Sequence, residues 1–353
     1  MADRLGGYWL GARLGSGEAY EAYDESGLRH ALHLRESAAA EAALEVRSVH
    51  VANLVEVTDG HVVAEYVSGM SLRAAVAEHG PYSGGDLYRL ATATATALAA
   101  IHEVQAVHGG LNPDRVLLTA QGPKLIGLGL AAGTPAADVL AWGQLLLFAA
   151  GGPDGMDRSL RALVASAVDR NAKRRPGARQ LLLSLLDTPQ SQLGQLLPPR
   201  EVHDPALGEL AEEVYQGLSQ ADQDLAAEVF LRLPCSREDL LAGRAPARVT
   251  GIERVLKAFG DAGLLSDPPD RAELLEIAWP RLREWLDGER EGLAVHRELA
   301  RAARRWEAGG RPESELFRGE ELERALAWAA GARRHLTLNG DEKRFLDAGR
   351  ASG

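Results

Sequence analysis

One loop constrains the fold of this chain more than any other feature. Residues 107–118 read VHGGLNPDRVLL, in which glycines, an asparagine and a proline stand between two apolar segments. Gly, Asn and Pro commonly interrupt regular structure, and the aliphatic run at 116–118 is typical of a short strand. One degenerate loop can arise by chance, so its meaning depends on which other motifs accompany it and in which order.

The loop resembles the catalytic loop of protein kinases, which reads His, Arg or Gly, Asp, Leu, Lys, Pro, any residue and Asn. His108 and Pro113 stand at the expected spacing, but Gly110 takes the position of the catalytic aspartate. Asn112 takes the position of the lysine and Arg115 that of the metal-binding asparagine. A glycine cannot accept the proton of a substrate hydroxyl, and an arginine cannot ligate a metal ion.

Earlier segments resemble the small lobe of the same family. Residues 8–20 resemble the first strand and the glycine-rich loop, and Gly15 and Gly17 match two of the loop's glycines. The third glycine is missing, and the loop is about three residues shorter than the motif. His33 stands where the lysine that holds the nucleotide phosphates belongs. Glu41 is predicted to be the equivalent of the αC glutamate, with Glu45 as a rival in the same alanine-rich segment.

Later segments continue the resemblance in the right order. The hinge is matched by Glu65, Tyr66 and Val67. Gly127 takes the place of the metal-binding aspartate of the Asp-Phe-Gly motif. Asp138 matches the helix residue that braces the catalytic loop in the family, and only eight residues separate it from Gly129. The activation segment is therefore almost wholly absent, which leaves no platform for a peptide substrate.

The resemblance covers about residues 5–190 and implies an α+β fold for a domain at 1–190. That fold is bilobal, with an antiparallel sheet and helix αC in the N-lobe and a helical C-lobe. The phosphate-holding lysine, the proton-accepting aspartate and the two metal-binding residues of the kinase pattern are all replaced. The domain is therefore predicted to be a pseudokinase with no catalytic residues and no metal site. Magnesium is not expected, and the same losses argue against ATP binding.

Two interpretations of the pocket remain open. His33 and Arg115 could supply positive charge in place of a metal ion, which would make the domain a metal-independent nucleotide sensor or an atypical kinase. Alternatively, His33 is a buried strand residue that meets Glu41 or a carbonyl, and Arg115 pairs with a carboxylate such as Asp114. The candidate nucleotide-pocket residues are Gly15, Gly17, His33, Glu41, Glu65, Tyr66, Val67 and Arg115.

The chain changes character after a polar, proline-bearing linker at 191–203. Apolar spacing near 3.6 predicts helices at 204–218, 219–233 and 251–263, the second opening on Ser219 as its cap. A turn at 266–270 follows. Three helices followed by an extended pair around a turn are the layout of a winged helix, so a mostly α, winged-helix-like domain is predicted at 204–277.

The final segment, 278–353, is predicted to be helical. It resembles the region that follows the winged helix in bacterial STAND-type ATPases, with Trp279, Trp285, Trp306 and Trp328 as its markers. The phosphate-binding motif G-x-x-x-x-G-K followed by Ser or Thr does not occur in this sequence, so the ATPase motor of that family is missing from it. The tryptophans are predicted to pack between helices. The arginine-rich face with Arg297, Arg301, Arg304 and Arg305 alternates with Glu298 and Glu307 and is interpreted as solvated.

Composition excludes several classes of protein. The net charge is −11 and both halves of the chain are acidic, which argues against non-specific nucleic-acid binding. One cysteine, Cys235, excludes a disulfide framework. No apolar run reaches the ~18 residues of a membrane helix, and the start of the chain leaves no room for a signal peptide, so a cytoplasmic protein is expected.

The two resemblances together predict a catalytically inactive scaffold or allosteric regulator in bacterial signalling or in a STAND-type defence system. Its expected partner is a protein, either a related kinase or a STAND ATPase. A DNA-binding regulator that uses the winged helix is the other alternative, although Arg254 and Lys257 in the candidate recognition helix are accompanied by Glu253 and Asp261.

Overall fold

The structure is a computed structural model. It describes residues 4–15, 19–34, 41–188, 202–233, 235–265, 272–331 and 335–352. The chain divides into two compact units. The N-terminal unit comprises residues 10–22 and 29–204, and the C-terminal unit comprises residues 1–9, 23–28 and 205–353. The predicted linker lies outside the described residues except for Val202 and His203, so the predicted domain boundaries stay predictions.

Nine strands are described, and they form two sheets. The strands are β1 (Arg4–Leu5), β2 (Tyr8–Arg13), β3 (Ala19–Tyr23), β4 (Arg29–Leu34), β5 (Leu54–Val57), β6 (His61–Glu65), β7 (Met70–Ser71), β8 (Val116–Thr119) and β9 (Gly122–Leu125). The larger sheet has the order β1-β2-β3-β4-β6-β5, and β7-β8-β9 form the smaller one. Antiparallel pairing sets His33 opposite Val62, and β6 begins with four buried residues. An N-terminal antiparallel sheet followed by helices confirms the predicted α+β class.

The helices of the N-terminal unit surround one core. They are α1 (Leu72–His79), α2 (Gly84–Glu103), α3 (Pro135–Ala149), α4 (Arg158–Ala167) and α5 (Ala178–Leu186). The side chain of Thr134 caps α3 and Pro135 opens it, which places Asp138 in the first turn. Trp142 is fully buried, and its indole N–H donates to the hydroxyl of Thr94 on α2 at 3.0 Å.

The segment predicted to hold helix αC differs from that expectation in its described residues, 41–45. Its described part is the short 3-10 helix Ala42–Glu45, and residues 35–40 lie outside the described residues. Glu41 immediately precedes this 3-10 helix and is exposed. The other 3-10 helices of this unit are Pro113–Arg115, Pro153–Gly155 and Ala172–Arg174.

The described part of the C-terminal unit beyond residue 205 is built from helices. They are α6 (Leu207–Gly217), α7 (Gln220–Arg232), α8 (Arg237–Leu241), α9 (Pro246–Asp261), α10 (Ala272–Ala278), α11 (Pro280–Ala308), α12 (Gly319–Ala330) and α13 (Gly340–Ser352). Ser219 caps α7 as predicted. Helix α9 begins at Pro246 rather than at Gly251, because proline is well suited to the first helical position, where no amide donor is needed. The turn at 266–270 lies outside the described residues, so the winged helix stays a prediction.

The prediction that the tryptophans pack in the core is confirmed for three of the four. Trp279 is fully buried, with its ring 5.2 Å from Phe230 and 5.3 Å from Trp285 between centroids. Trp306 is buried in a second cluster, and Trp328 is partly buried. Among the described residues, none of the helices combines the length and the apolar character that a membrane span requires.

Candidate functional site

A buried carboxylate braces the loop at 107–118. Asp138 Oδ1 accepts a hydrogen bond of 2.8 Å from the backbone N–H of Gly109, and Oδ2 accepts one of 2.8 Å from that of His108. His102 Nε2 lies 2.9 Å from the same Oδ2. Burial by itself would raise the pKa of Asp138, but these three hydrogen bonds together hold it below its usual value. The bracing role that the family resemblance implies for Asp138 is thus confirmed.

His108 is structural in this loop. Its ring is fully buried, Nε2 lies 3.1 Å from the carbonyl oxygen of Ile126, and Nδ1 lies 3.4 Å from the backbone nitrogen of Gly110. Burial lowers the pKa of His108 to about 4, so the imidazole is neutral near pH 7. A neutral ring has one N–H and one acceptor nitrogen, which suits donation to Ile126 and acceptance from Gly110.

The side chain of Arg115 lies against two glycines at once. A Cβ atom added at Gly110 would stand 2.3 Å from Arg115 Nη1, and one added at Gly127 would stand 3.3 Å from both Cδ and Nε of Arg115. Gly127 also has φ of +79°, a conformation that side chains other than glycine rarely adopt. The guanidinium therefore fills the space into which side chains at positions 110 and 127 would begin, and the three departures from the kinase pattern form one packed arrangement.

Asn112 holds the loop in shape. Its Oδ1 accepts from the backbone N–H of Asp114 at 2.9 Å, and its Nδ2 donates to the carbonyl of Gly110 at 3.1 Å. The first of these bonds caps the 3-10 helix Pro113–Arg115, whose last residue is the arginine against the glycines. The carboxylate of Asp114 accepts two hydrogen bonds from Arg73 Nε, at 2.8 and 2.9 Å, a partner that sequence reasoning missed.

His33 lies near the same arginine. Burial lowers the pKa of His33 to about 4, and the positive charge of Arg115 lowers it further in the same direction. His33 is therefore a neutral imidazole near pH 7. Among the described residues, Glu41 makes no side-chain hydrogen bond, and the structure gives His33 no ion pair with it. Gly15 has a left-handed backbone with φ of +63°, and Gly17 lies outside the described residues.

The three predicted hinge residues line a cavity of about 550 Å³. Its other walls are contributed by residues 68–69, residues 118–121, Lys124 and residues 202–203, all within the N-terminal unit. Lys124 Nζ donates to the carboxylate of Glu65, and the backbone N–H of Glu65 donates to the carbonyl of Asn53 at 2.9 Å. The hinge is therefore surrounded by polar groups that a search for kinase motifs does not identify.

A second polar cluster holds Tyr66. The hydroxyl of Tyr66 donates to Asp204 Oδ2 at 2.8 Å, and the guanidinium carbon of Arg29 lies 3.6 Å from the centre of the tyrosine ring. Arg29 also donates to Asp204 and to Glu21. Burial raises the pKa of Tyr66 above its usual value, and the hydrogen bond to Asp204 adds to this effect. Residues from three distant parts of the sequence thus meet at the hinge.

Replacing Tyr66 by phenylalanine is expected to lower the free energy of unfolding of the N-terminal unit by about 1.5 kcal/mol, since a hydrogen bond to a charged carboxylate is lost. Urea unfolding of the two proteins measures this difference. Tyr82→Phe is the matched control, because the Tyr82 hydroxyl donates to no group among the described residues. Equal losses for both variants would show that the bond from Tyr66 to Asp204 contributes nothing specific.

Comparison with known proteins adds two kinds of relative. A family model described as Novel STAND NTPase 1 matches residues 202–314. The chain is 37% identical over 95 residues to the probable serine/threonine-protein kinase PkwA of Thermomonospora curvata, a match that covers 26% of this chain and 13% of PkwA. It is 27% identical over 254 residues to the serine/threonine-protein kinase AfsK of Streptomyces coelicolor, which covers 52% of this chain and 32% of AfsK.

Among solved structures, the kinase domain of PknI from M. tuberculosis is similar, with a TM-score of 0.42 and 20% identity over 51% of this chain and 94% of that domain. The chain spans less than a third of the length of the two curated relatives. As the sequence predicted, the chain resembles bacterial serine/threonine kinases and also carries a region similar to STAND NTPases.

Proposed function

We propose that the N-terminal unit is a catalytically inactive kinase-like domain and that the chain acts as an interaction protein in bacterial signalling. The observation that carries this proposal is the position of Arg115 against Gly110 and Gly127. By the family resemblance, these glycines replace the proton-accepting aspartate and a metal-binding aspartate. The chain therefore presents a guanidinium where the family presents carboxylates.

Charge argues against magnesium at this place. Magnesium binds oxygen ligands in a strict octahedral geometry and is held in kinases by an aspartate and an asparagine. Here those positions are Gly127 and Arg115, and the fixed positive charge of the arginine repels a divalent cation. The residues present do not fit a metal-bound nucleotide.

A metal-independent nucleotide sensor receives less support from the same geometry. That alternative requires His33 to supply positive charge to phosphate groups. The lowered pKa of His33 leaves the imidazole neutral near pH 7, so Arg115 would have to act alone. The hinge tyrosine is in addition engaged by Asp204.

DNA binding through α9 is also disfavoured by ion pairing. Arg254 donates to both carboxylate oxygens of Asp222, at 3.0 and 2.6 Å, and Lys257 pairs with Asp261 at 2.6 Å. A recognition helix needs cations that are available to phosphates. The two cations considered for this role in α9 are each matched by a carboxylate of the same unit.

ATP at 1 mM is expected to leave the melting temperature of the protein unchanged, with or without magnesium. No phosphate should be transferred from ATP to the protein or to a generic kinase substrate. A site with a Kd of about 10 µM would stabilise the folded protein by about 2.7 kcal/mol under these conditions, which a thermal scan resolves easily. A shift that persists without magnesium and disappears in Arg115→Ala would instead support the nucleotide sensor. Transfer of phosphate that is lost in the same variant would overturn the proposal of inactivity.

The proposed partner is a protein, either a related kinase or a STAND NTPase, in keeping with the two families that the chain resembles. Affinity purification of the chain from its native host tests this proposal. Reproducible recovery together with a protein of either class is expected. Reproducible recovery of the chain alone would count against the scaffold role.

A further inference from the structure

A cavity of about 320 Å³ lies in the C-terminal unit between the end of α7, the start of α8 and the middle of α11. Its lining is rich in arginine. Apart from a cysteine and an alanine, it is lined by Arg232, Asp239, His296, Arg297, Arg301 and Arg304. Four arginines and one aspartate around one cavity stand out in a chain whose net charge is −11.

The acids that neighbour these arginines in sequence do not neutralise them. Glu298 pairs with Arg324 on α12, and Glu307 pairs with Arg311 and Arg344, each at 3.0 Å. The alternation of charges along the sequence predicted a solvated helix face, and Arg297 and Arg301 are indeed exposed. The structure directs both acids to other arginines, and within the part of the chain that it describes no carboxylate pairs with Arg297 or Arg301.

The floor of the cavity is buried and held in place. The side chain of Arg232 is 6% exposed and donates to both carboxylate oxygens of Glu342, at 2.8 and 3.1 Å. His296 is 2% exposed, and its Nε2 lies 3.3 Å from Glu342. Its Nδ1 is buried without a hydrogen-bond partner among the described residues. Such a nitrogen is costly to bury unless something satisfies it.

The rim combines one paired and two unpaired arginines. Arg304 lies 3.1 Å from Asp239, whereas Arg301 Nε donates only to the backbone carbonyl of Arg297, at 3.2 Å. Like charges three or four residues apart on a helix repel one another. A dianion bound between them would remove that repulsion, and the planar forks of arginine are well suited to the oxygens of a phosphoryl group.

We infer that this cavity binds a phosphorylated serine or threonine side chain of a partner protein. Arginine clusters are the usual recognition element for phosphorylated segments. A nucleotide is a poorer fit because, apart from the imidazole of His296, the lining contains no aromatic ring on which a base could stack. The inference concerns the C-terminal unit and does not depend on whether the kinase-like unit is inactive.

Fluorescence polarisation with labelled peptide libraries tests the inference on the full chain. One library carries a fixed central phosphoserine, and a matched library carries serine at that position. The phosphorylated library is expected to bind and the unphosphorylated one not to bind, with affinity falling as salt rises. The double variant R297Q/R301Q should weaken binding by about tenfold or more, since two charge-assisted contacts are lost.

Two further variants sharpen the test. Arg305→Gln is the matched control, because Arg305 is an exposed arginine one turn beyond Arg301 on α11 and does not line the cavity. It should leave the affinity unchanged. Asp239→Asn removes the one carboxylate of the lining and should tighten binding several-fold.

Three outcomes would overturn the inference. The first is that the phosphorylated library does not bind at about 100 µM, a concentration on the order of the Kd values of weak signalling interactions. Equal losses for R305Q and R297Q/R301Q would indicate non-specific attraction to basic surface. Inorganic phosphate or ATP competing at lower concentration than the phosphorylated library would indicate a free-anion or nucleotide site instead.

Discussion

Glu228→Gln is expected to lower the free energy of unfolding of the C-terminal unit by about 3–5 kcal/mol. The Glu228 side chain is 1% exposed and lies 2.6 Å from Arg244, whose side chain is 2% exposed. Arg232 and Arg248 also pair with it, and Thr337 donates to it at 3.0 Å. An amide at this position would leave the buried guanidinium of Arg244 without its counter-charge.

Urea unfolding, with hydrogen exchange to localise the loss to the C-terminal unit, measures this effect. Glu253→Gln is the matched control, since Glu253 pairs with Arg237 at 3.0 Å on the surface and exposed pairs contribute less than about 1 kcal/mol. The double variant Glu228→Gln with Arg244→Met should recover much of the loss, because the unpaired cation is removed as well. A loss for Glu228→Gln no larger than that for Glu253→Gln would contradict the prediction.

The same cluster predicts the direction of acid sensitivity. Burial alone would raise the pKa of Glu228 and of Glu342, but nearby arginines, together with His296 for Glu342, hold both pKa values below the usual range. A carboxyl group whose pKa is lower in the folded state contributes stability above its unfolded pKa of about 4.3 and loses it as the pH falls toward the folded value. The wild-type protein should therefore lose stability below about pH 4, and Glu228→Gln should lose less over that interval.

Asp138→Asn is expected to lower the free energy of unfolding of the N-terminal unit by about 3 kcal/mol. The carboxylate accepts from two backbone N–H groups of the loop and from His102, and it is 1% exposed. An amide has only one acceptor oxygen, so its NH₂ group would face at least one of these donors. The loop that carries Gly110 and Arg115 would lose the contact that fixes its backbone.

Hydrogen exchange of residues 102–112, together with urea unfolding, measures this loss. Asp154→Asn is a suitable control because the side chain of Asp154 is 98% exposed and its pair with Arg161 is long, at 3.6 Å. Unchanged protection of the loop in Asp138→Asn would show that the loop is held by other contacts. The pKa of Asp138 is lowered on folding. The difference in free energy of unfolding between the wild-type protein and Asp138→Asn should therefore shrink as the pH falls below about 4.

Much of the local structure could be predicted from the sequence because it depends on neighbours along the chain. Ser219 caps α7, and strand-like segments form β4, β6 and β8. Tryptophans at helical spacing enter the core because burial of large rings is strongly favourable. The start of α9 at Pro246 and the short 3-10 helix beside Glu41 were missed, since in both places local signals also fit a loop or a longer helix.

The sequence by itself determined which chemical groups are absent: no side chain at position 110 or 127 can carry a carboxylate, and no ammonium stands at position 33. Only the tertiary structure decided what replaces them. Arg115 meets both glycines, Asp204 meets Tyr66, and Glu298 meets Arg324 rather than the arginines beside it. These outcomes depend on which surfaces face each other after packing, which residue spacing along the chain does not encode.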